Sequence, residues 1–206
     1  MKWMPYLAAA IIAGPADAGE THSKTYDLRD FSAIEISGAY ELDVEVGDDY
    51  SVRLTGPEEE MSRAEVAVRD GALTLGSRKH RGDRDGVLAV VTLPALDRLS
   101  VSGVVDADIR GVDAGAFKIN LSGVGEVKVD GRCGQLYARV SGVGELDARA
   151  LKCGSAEISL SGMGGASVFA RDVAKAEISG MGEINVYGSP KTVDKRGGFF
   201  AEINVH

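Results

Sequence analysis

The sequence predicts an all-β fold: a single-domain parallel β-helix, a solenoid with right-handed coils of about 18–20 residues. Three observations predict it. Ser-Gly pairs recur, ending at Gly103, Gly123, Gly142, Gly162 and Gly180, at steps of 20, 19, 20 and 18. Each pair opens a similar phrase, such as Val124-Gly125-Glu126-Val127 and Val143-Gly144-Glu145-Leu146. Between the marks apolar residues alternate with polar ones, as in Ile119 and Leu121, Ala138 and Val140, Ile158 and Leu160. Alternation with period two means strands with one buried face. A unit this small cannot bury that face alone, so successive units must stack.

The chain opens with Lys2, an apolar run from Trp3 to Ala13, and Ala16-Asp17-Ala18. This is the pattern of an export signal, with residues 1–18 as the leader and 19–206 as the one domain. The run is shorter than the roughly 20 residues of a membrane span, so no retained transmembrane segment is expected. Ser37-Gly38-Ala39-Tyr40-Glu41-Leu42 matches the repeated phrase, and Thr55-Gly56 and Leu75-Gly76 continue the count at 18 and 20. The next step is 27; the excess falls on Ser77 to Gly86, which reads as an inserted loop. Glu58 to Arg63 suits a short helical turn. Glu202-Ile203-Asn204-Val205 repeats Glu183-Ile184-Asn185-Val186 at a step of 19. Nine or ten rungs at about 4.8 Å predict a rod of about 45 Å.

Outward positions support this register. Asp108, Lys128 and Asp147 form one column of alternating charge; Arg110, Asp130 and Arg149 form a second in opposite phase, followed by Phe169 and Tyr187. Such neighbours each favour a pairing by roughly 0.2–1 kcal/mol. Cys133-Gly134 and Cys153-Gly154 stand one repeat apart. Stacking brings their Cα atoms within disulfide reach, and export permits oxidation, so an inter-rung bond between Cys133 and Cys153 is expected.

Several motifs form an ordered set: Phe31 to Gly38, Asp70-Gly71-Ala72-Leu73, Leu93-Pro94-Ala95-Leu96 leading through Leu99 to Val101-Ser102-Gly103, the Ser-Gly-x-Gly-acid repeats, and Tyr187-Gly188-Ser189-Pro190. In these the chain resembles the auto-transporter adhesin head family known as the GIN domain, over nearly its whole mature length. The resemblance implies a surface or periplasmic β-helical domain with adhesion or glycan binding as its role, and it carries no catalytic residues to transfer.

A formal charge of −8 argues against nucleic acid as a partner and gives no drive towards anionic lipid. Glu41, Asp106, Glu126, Glu145 and Glu183 share one repeat position, where they form either a calcium-binding column or a solvated acidic edge. Ser102, Ser122, Ser141, Ser161 and Ser179 form a hydroxyl column. The mature chain holds only His22, His80 and His206 as imidazole bases, so the hydroxyls read as a turn ladder. Arg78, Lys79, His80, Arg81 and Arg84 are a basic cluster fit for phosphate, sulfate or uronate groups. Phe169 and Tyr187 are either a sugar-stacking platform or a cross-rung pair.

Expected is a non-enzymatic exported protein, periplasmic, outer-surface or secreted, that needs no cofactor and binds glycan or an envelope protein. The alternatives are a structural module that stacks on itself and a polysaccharide-active enzyme. Homo-association through a helix end, or a covering loop from Pro190 to Gly198, would hide the last strand edges.

Overall fold

A computed structural model describes residues 21–78 and 86–206. The expected leader, 1–18, and most of the expected inserted loop lie outside them. The elements run β1 (Thr21–Tyr26), β2 (Ala33–Ile36), β3 (Ala39–Val46), β4 (Ser51–Pro57), α1 (Glu58–Arg63), β5 (Ala64–Arg69), β6 (Ala72–Ser77), β7 (Val87–Leu93) and β8 (Arg98–Val101). Four long bent strands follow: β9 (Val104–Leu121), β10 (Val124–Val140), β11 (Val143–Leu160) and β12 (Met163–Ile178). β13 (Met181–Tyr187), β14 (Thr192–Gly197) and β15 (Ala201–Val205) complete the chain.

Each coil contributes one strand to each of two parallel ladders. One runs β7-β3-β9-β10-β11-β12-β13-β15; the other runs β6-β2-β8 and then through the second halves of β9, β10, β11 and β12 to β14. The continuous part, from Arg98 onward, makes about five turns, a parallel β-solenoid as the repeat predicts. Eight strands per ladder, not nine or ten, span about 34 Å at 4.8 Å each.

The stacking fills the core with files of like residues. Leu73, Ile34, Leu99, Ile119, Ala138, Ile158 and Ala176 succeed one another down one file, each no more than 2% exposed. Among the described residues no charged side chain is buried, and the Tyr40 hydroxyl is bonded to Gly76 O. Glycine is obligatory at the Ser-Gly corner. A Cβ on Gly142 would lie 1.8 Å from the carbonyl oxygen of Gly123 in the rung beneath. The serines brace the same corner: Ser102 and Ser122 donate their hydroxyls to Ile36 O (3.2 Å) and Val101 O (3.0 Å).

The upstream part of the repeat differs from expectation. Gly103 stacks directly on Gly38, although 65 residues separate them. The intervening chain leaves the coil: β4 runs antiparallel against β1 and β7, and β5 runs antiparallel against β6. Thr55-Gly56 therefore lies on an antiparallel strand, and Gly76 stands beside Ser37, one residue off the mark. An antiparallel strand carries the same period-two pattern as a parallel one, so alternation alone did not distinguish them. The β5–β6 reversal is made by Asp70 (φ 49°) and Gly71 (φ 74°), the two positive φ values that a tight hairpin demands. The β2–β3 coil is thus inserted between the later β6–β7 and β8–β9 coils.

At the other end, 192–197 is a rung of its own, not the expected cover. There the core file beginning at Leu73 ends in Lys195, whose Nζ donates to Ile203 O across the last coil at 2.9 Å. A charge at an inward position is a recognised obstacle to edge pairing.

Candidate functional site: the corner furrow

The residue after each Ser-Gly pair faces outward. Val104, Val124, Val143, Met163 and Met181 stack in register, one per rung, and are 37–51% exposed. At the end of this ridge the turn Gly197-Gly198 lifts Phe199 (97% exposed) and Phe200 (70%) clear of the surface. Solvated polar residues are the norm at such turns; here a continuous apolar line ends in two bare phenyl rings.

The next residue in each rung makes a floor. Gly125, Gly164 and Gly182 have φ of 137°, 142° and 154°, and a Cβ on any of them would come within 2 Å of the rung beneath. From Gly125 to Gly182 stacking leaves no room for a side chain, and bare backbone runs parallel to the ridge between Val105 and Ala201. Beyond it stand Glu126, Glu145, Glu183 and Glu202, in register, with Gly165 as the one gap. The ridge from Val124 to Met163, the floor, and the wall from Glu145 to Glu202 border an open furrow of about 1040 Å³, with Phe199 and Phe200 at its end.

The wall carries carboxylates without cationic partners. Many carboxylates elsewhere are paired, though not Glu41, Asp106 or Glu177: Asp43 and Asp108 are held by Arg110 (3.2 Å each), Asp113 by Arg132 (2.6 Å), Asp147 by Arg149 (2.5 Å), and Asp172 by Lys191 (2.8 Å). The hydrogen bonds from Arg132 and Arg149 hold the Asp113 and Asp147 carboxyls below the ordinary range, and those from Lys191 and Arg171 do so for Asp172. On the wall, Glu126 has Lys128 (2.9 Å), but Glu145, Glu183 and Glu202 meet no Lys or Arg among the described residues. Nor do any three metal-binding side chains converge among those residues. One carboxylate per rung is a line, not a cage.

The sequence-derived candidates fall out as follows. Cys133 and Cys153 are adjacent across β10 and β11, disulfide-bonded with Cα atoms 4.5 Å apart. Asp108, Lys128 and Asp147 stack in register. The second charge column does not close as expected. A bulge at Asp130 and an offset after Ala148 break its register, so Arg149 turns back to Asp147 and lies outside the Phe169 pairing.

Phe169 and Tyr187 are paired in backbone register, but the rings have other partners. Tyr187 stacks on His206 at 4.7 Å and 18°, and Lys152 Nζ sits 4.1 Å over the Phe169 ring. Each ring thus has one face engaged, and neither packs against the other. His206 belongs to the last rung, donating its backbone N–H to Val186 O; its position after Val205 was the signal available. Of the basic cluster, Arg78 pairs with Glu65 at 3.0 Å; Lys79, His80, Arg81 and Arg84 lie outside the described residues. No helix among the described residues is long and apolar enough to cross a membrane.

A family model described as "Putative auto-transporter adhesin, head GIN domain" matches residues 30–190. No curated protein matches the chain. Among solved structures, a "putative adhesin" from Bacteroides fragilis NCTC 9343 superposes with TM-score 0.75 at 22% identity, covering 91% of this chain and 97% of its own. A "putative lipid binding protein" from Parabacteroides distasonis ATCC 8503 gives 0.52 at 19%, covering 92% and 98%. A "putative adhesin" from the same strain gives 0.51 at 18%, also covering 92% and 98%. At these identities the likeness is one of fold.

Proposed function

Since the chain belongs to the auto-transporter adhesin head GIN domain family, we propose that it is an exported, non-catalytic surface-binding scaffold whose contact surface is the corner furrow. The observation that carries this reading is the exposed apolar ridge ending at Phe199 and Phe200. A rigid rod that presents one line of side chains suits adhesion, because little freedom is lost on contact. Nothing comparable supports catalysis: the outward acids form files along the rod, and among the described residues no three metal-binding side chains converge. Between the two ligand classes, protein is favoured over glycan, since the Tyr187 ring is already stacked on one face and the furrow's ridge is apolar.

The test is solid-phase binding of the full chain to panels of immobilised surface proteins and glycans. It is repeated with Met163→Ser combined with Phe200→Ser, two exposed changes that leave the core untouched. Protein ligands should be retained by the wild type and lost by the variant. Undiminished binding by the variant, or binding to glycans alone, would overturn the proposal.

A further inference from the structure

The furrow's dimensions and charge restrict what can lie in it. Ridge and wall are two residues apart along each strand, about 6.7 Å, whereas an α-helix with its side chains is about 10–12 Å wide. An occupant running along the rod must also match a repeat of about 4.8 Å per rung. An extended β-strand presents like-facing residues every 6.7 Å or so and loses register at once. A polyproline-type segment repeats every three residues at about 9.3 Å, close to two rungs at about 9.6 Å. Over four rungs its misfit stays below about 1 Å. Such segments dock in aromatic-lined grooves elsewhere, and Phe199 and Phe200 supply aromatic rings here. Glu145, Glu183 and Glu202, without cationic partners among the described residues, call for positive charge. They also disfavour a second copy laid side by side, which would set wall against wall.

Resting on the furrow as the contact surface, we propose that its occupant is an extended, proline-rich polypeptide segment bearing Lys or Arg. One apolar residue per turn packs between alternate side chains of the Val124–Val143–Met163–Met181 ridge, and the cations reach the wall. Recognition then combines a shape read by bare backbone with a charge read by carboxylates. A flexible chain of equal charge meets only the second.

The test is fluorescence anisotropy of the full chain with three labelled peptides: four Pro-Pro-Lys repeats, four Gly-Gly-Lys repeats, and four Pro-Pro-Glu repeats. The first should bind at least about 10-fold tighter than either of the others and weaken with salt. Glu145→Gln with Glu183→Gln should weaken it about 10-fold, and Phe200→Ser by a similar factor, with circular dichroism unchanged. Equal binding of the glycine peptide, or full affinity in either variant, would overturn the proposal. So would no binding of the proline peptide. If the Met163→Ser, Phe200→Ser pair nevertheless abolishes solid-phase binding, only the occupant is wrong. If that pair binds normally, the furrow itself is wrong.

Discussion

Replacing Gly142 by alanine tests the stacking directly. The added Cβ would lie 1.8 Å from Gly123 O, where real Cβ contacts do not fall below 3.0 Å. The rungs must therefore part locally by about 1.2 Å. Val143 N donates to Gly123 O at 3.1 Å, and that bond would stretch beyond hydrogen-bonding range. Losing it costs about 1 kcal/mol, and forcing an extra carbon into packed surroundings costs about 1–3 kcal/mol. The expected destabilisation is about 2–4 kcal/mol, a large share of the 5–15 kcal/mol typical of a folded domain. Urea unfolding followed by far-ultraviolet circular dichroism should show a lower midpoint with an unchanged slope. Gly115→Ala is the control: at a different corner, within β9, a Cβ there meets nothing within 4 Å, so stability should stay within about 0.5 kcal/mol. Equal costs for the two substitutions would refute the account of the corner.

Three further outcomes follow from other parts of the molecule. Cys133→Ala with Cys153→Ala opens a 20-residue loop and should cost about 3 kcal/mol; reductant should then destabilise the wild type but not the variant, measured by urea midpoints. Tyr40 is buried and donates its hydroxyl to Gly76 O at 2.6 Å; burial first, then neighbouring acidic groups, push the phenol up to about 12. A raised phenol favours the neutral form in the folded state. Its contribution, about 2–3 kcal/mol, is complete below the unfolded value near 10 and is lost as pH rises through 12. Tyr40→Phe should abolish that alkaline loss in stability measured from pH 9 to 12; an unchanged profile would dismiss the assignment. Lys195→Leu should add concentration-dependent association in sedimentation, since it removes the charge that ends the core file; no change would mean that the edges are protected by other means.

Much of the fold could be read from residues that stacking itself constrains. The corner glycines, Cys133 with Cys153, and Asp108 with Lys128 and Asp147 all lie where the repeat places them, because any slip would turn the apolar files to solvent. The excursion from β4 to β6 could not be read, since strand direction leaves alternation unchanged. Arg149 was misplaced for a local reason: the bulge and offset beyond Ala148 shift the chain without altering the Ser-Gly count. The acidic wall was visible as a column, whereas its neighbour was not. Val104, Val124 and Val143 look like core residues, and only the corner geometry turns them outward.

The seating of β2–β3 between two later coils separates order of synthesis from order of assembly. From β9 onward each rung rests on the one made just before it, so this half can zip up through short-range contacts. The β2–β3 segment emerges before any of its neighbours: Leu73 of β6 lies 39 residues beyond Ile34, Val87 of β7 lies 47 beyond Tyr40, and Val104 of β9 lies 65 beyond Ala39. Closing so long a loop is slow. The solenoid therefore grows from its later coils, and the β2–β3 coil takes its place only after the chain has returned to flank it.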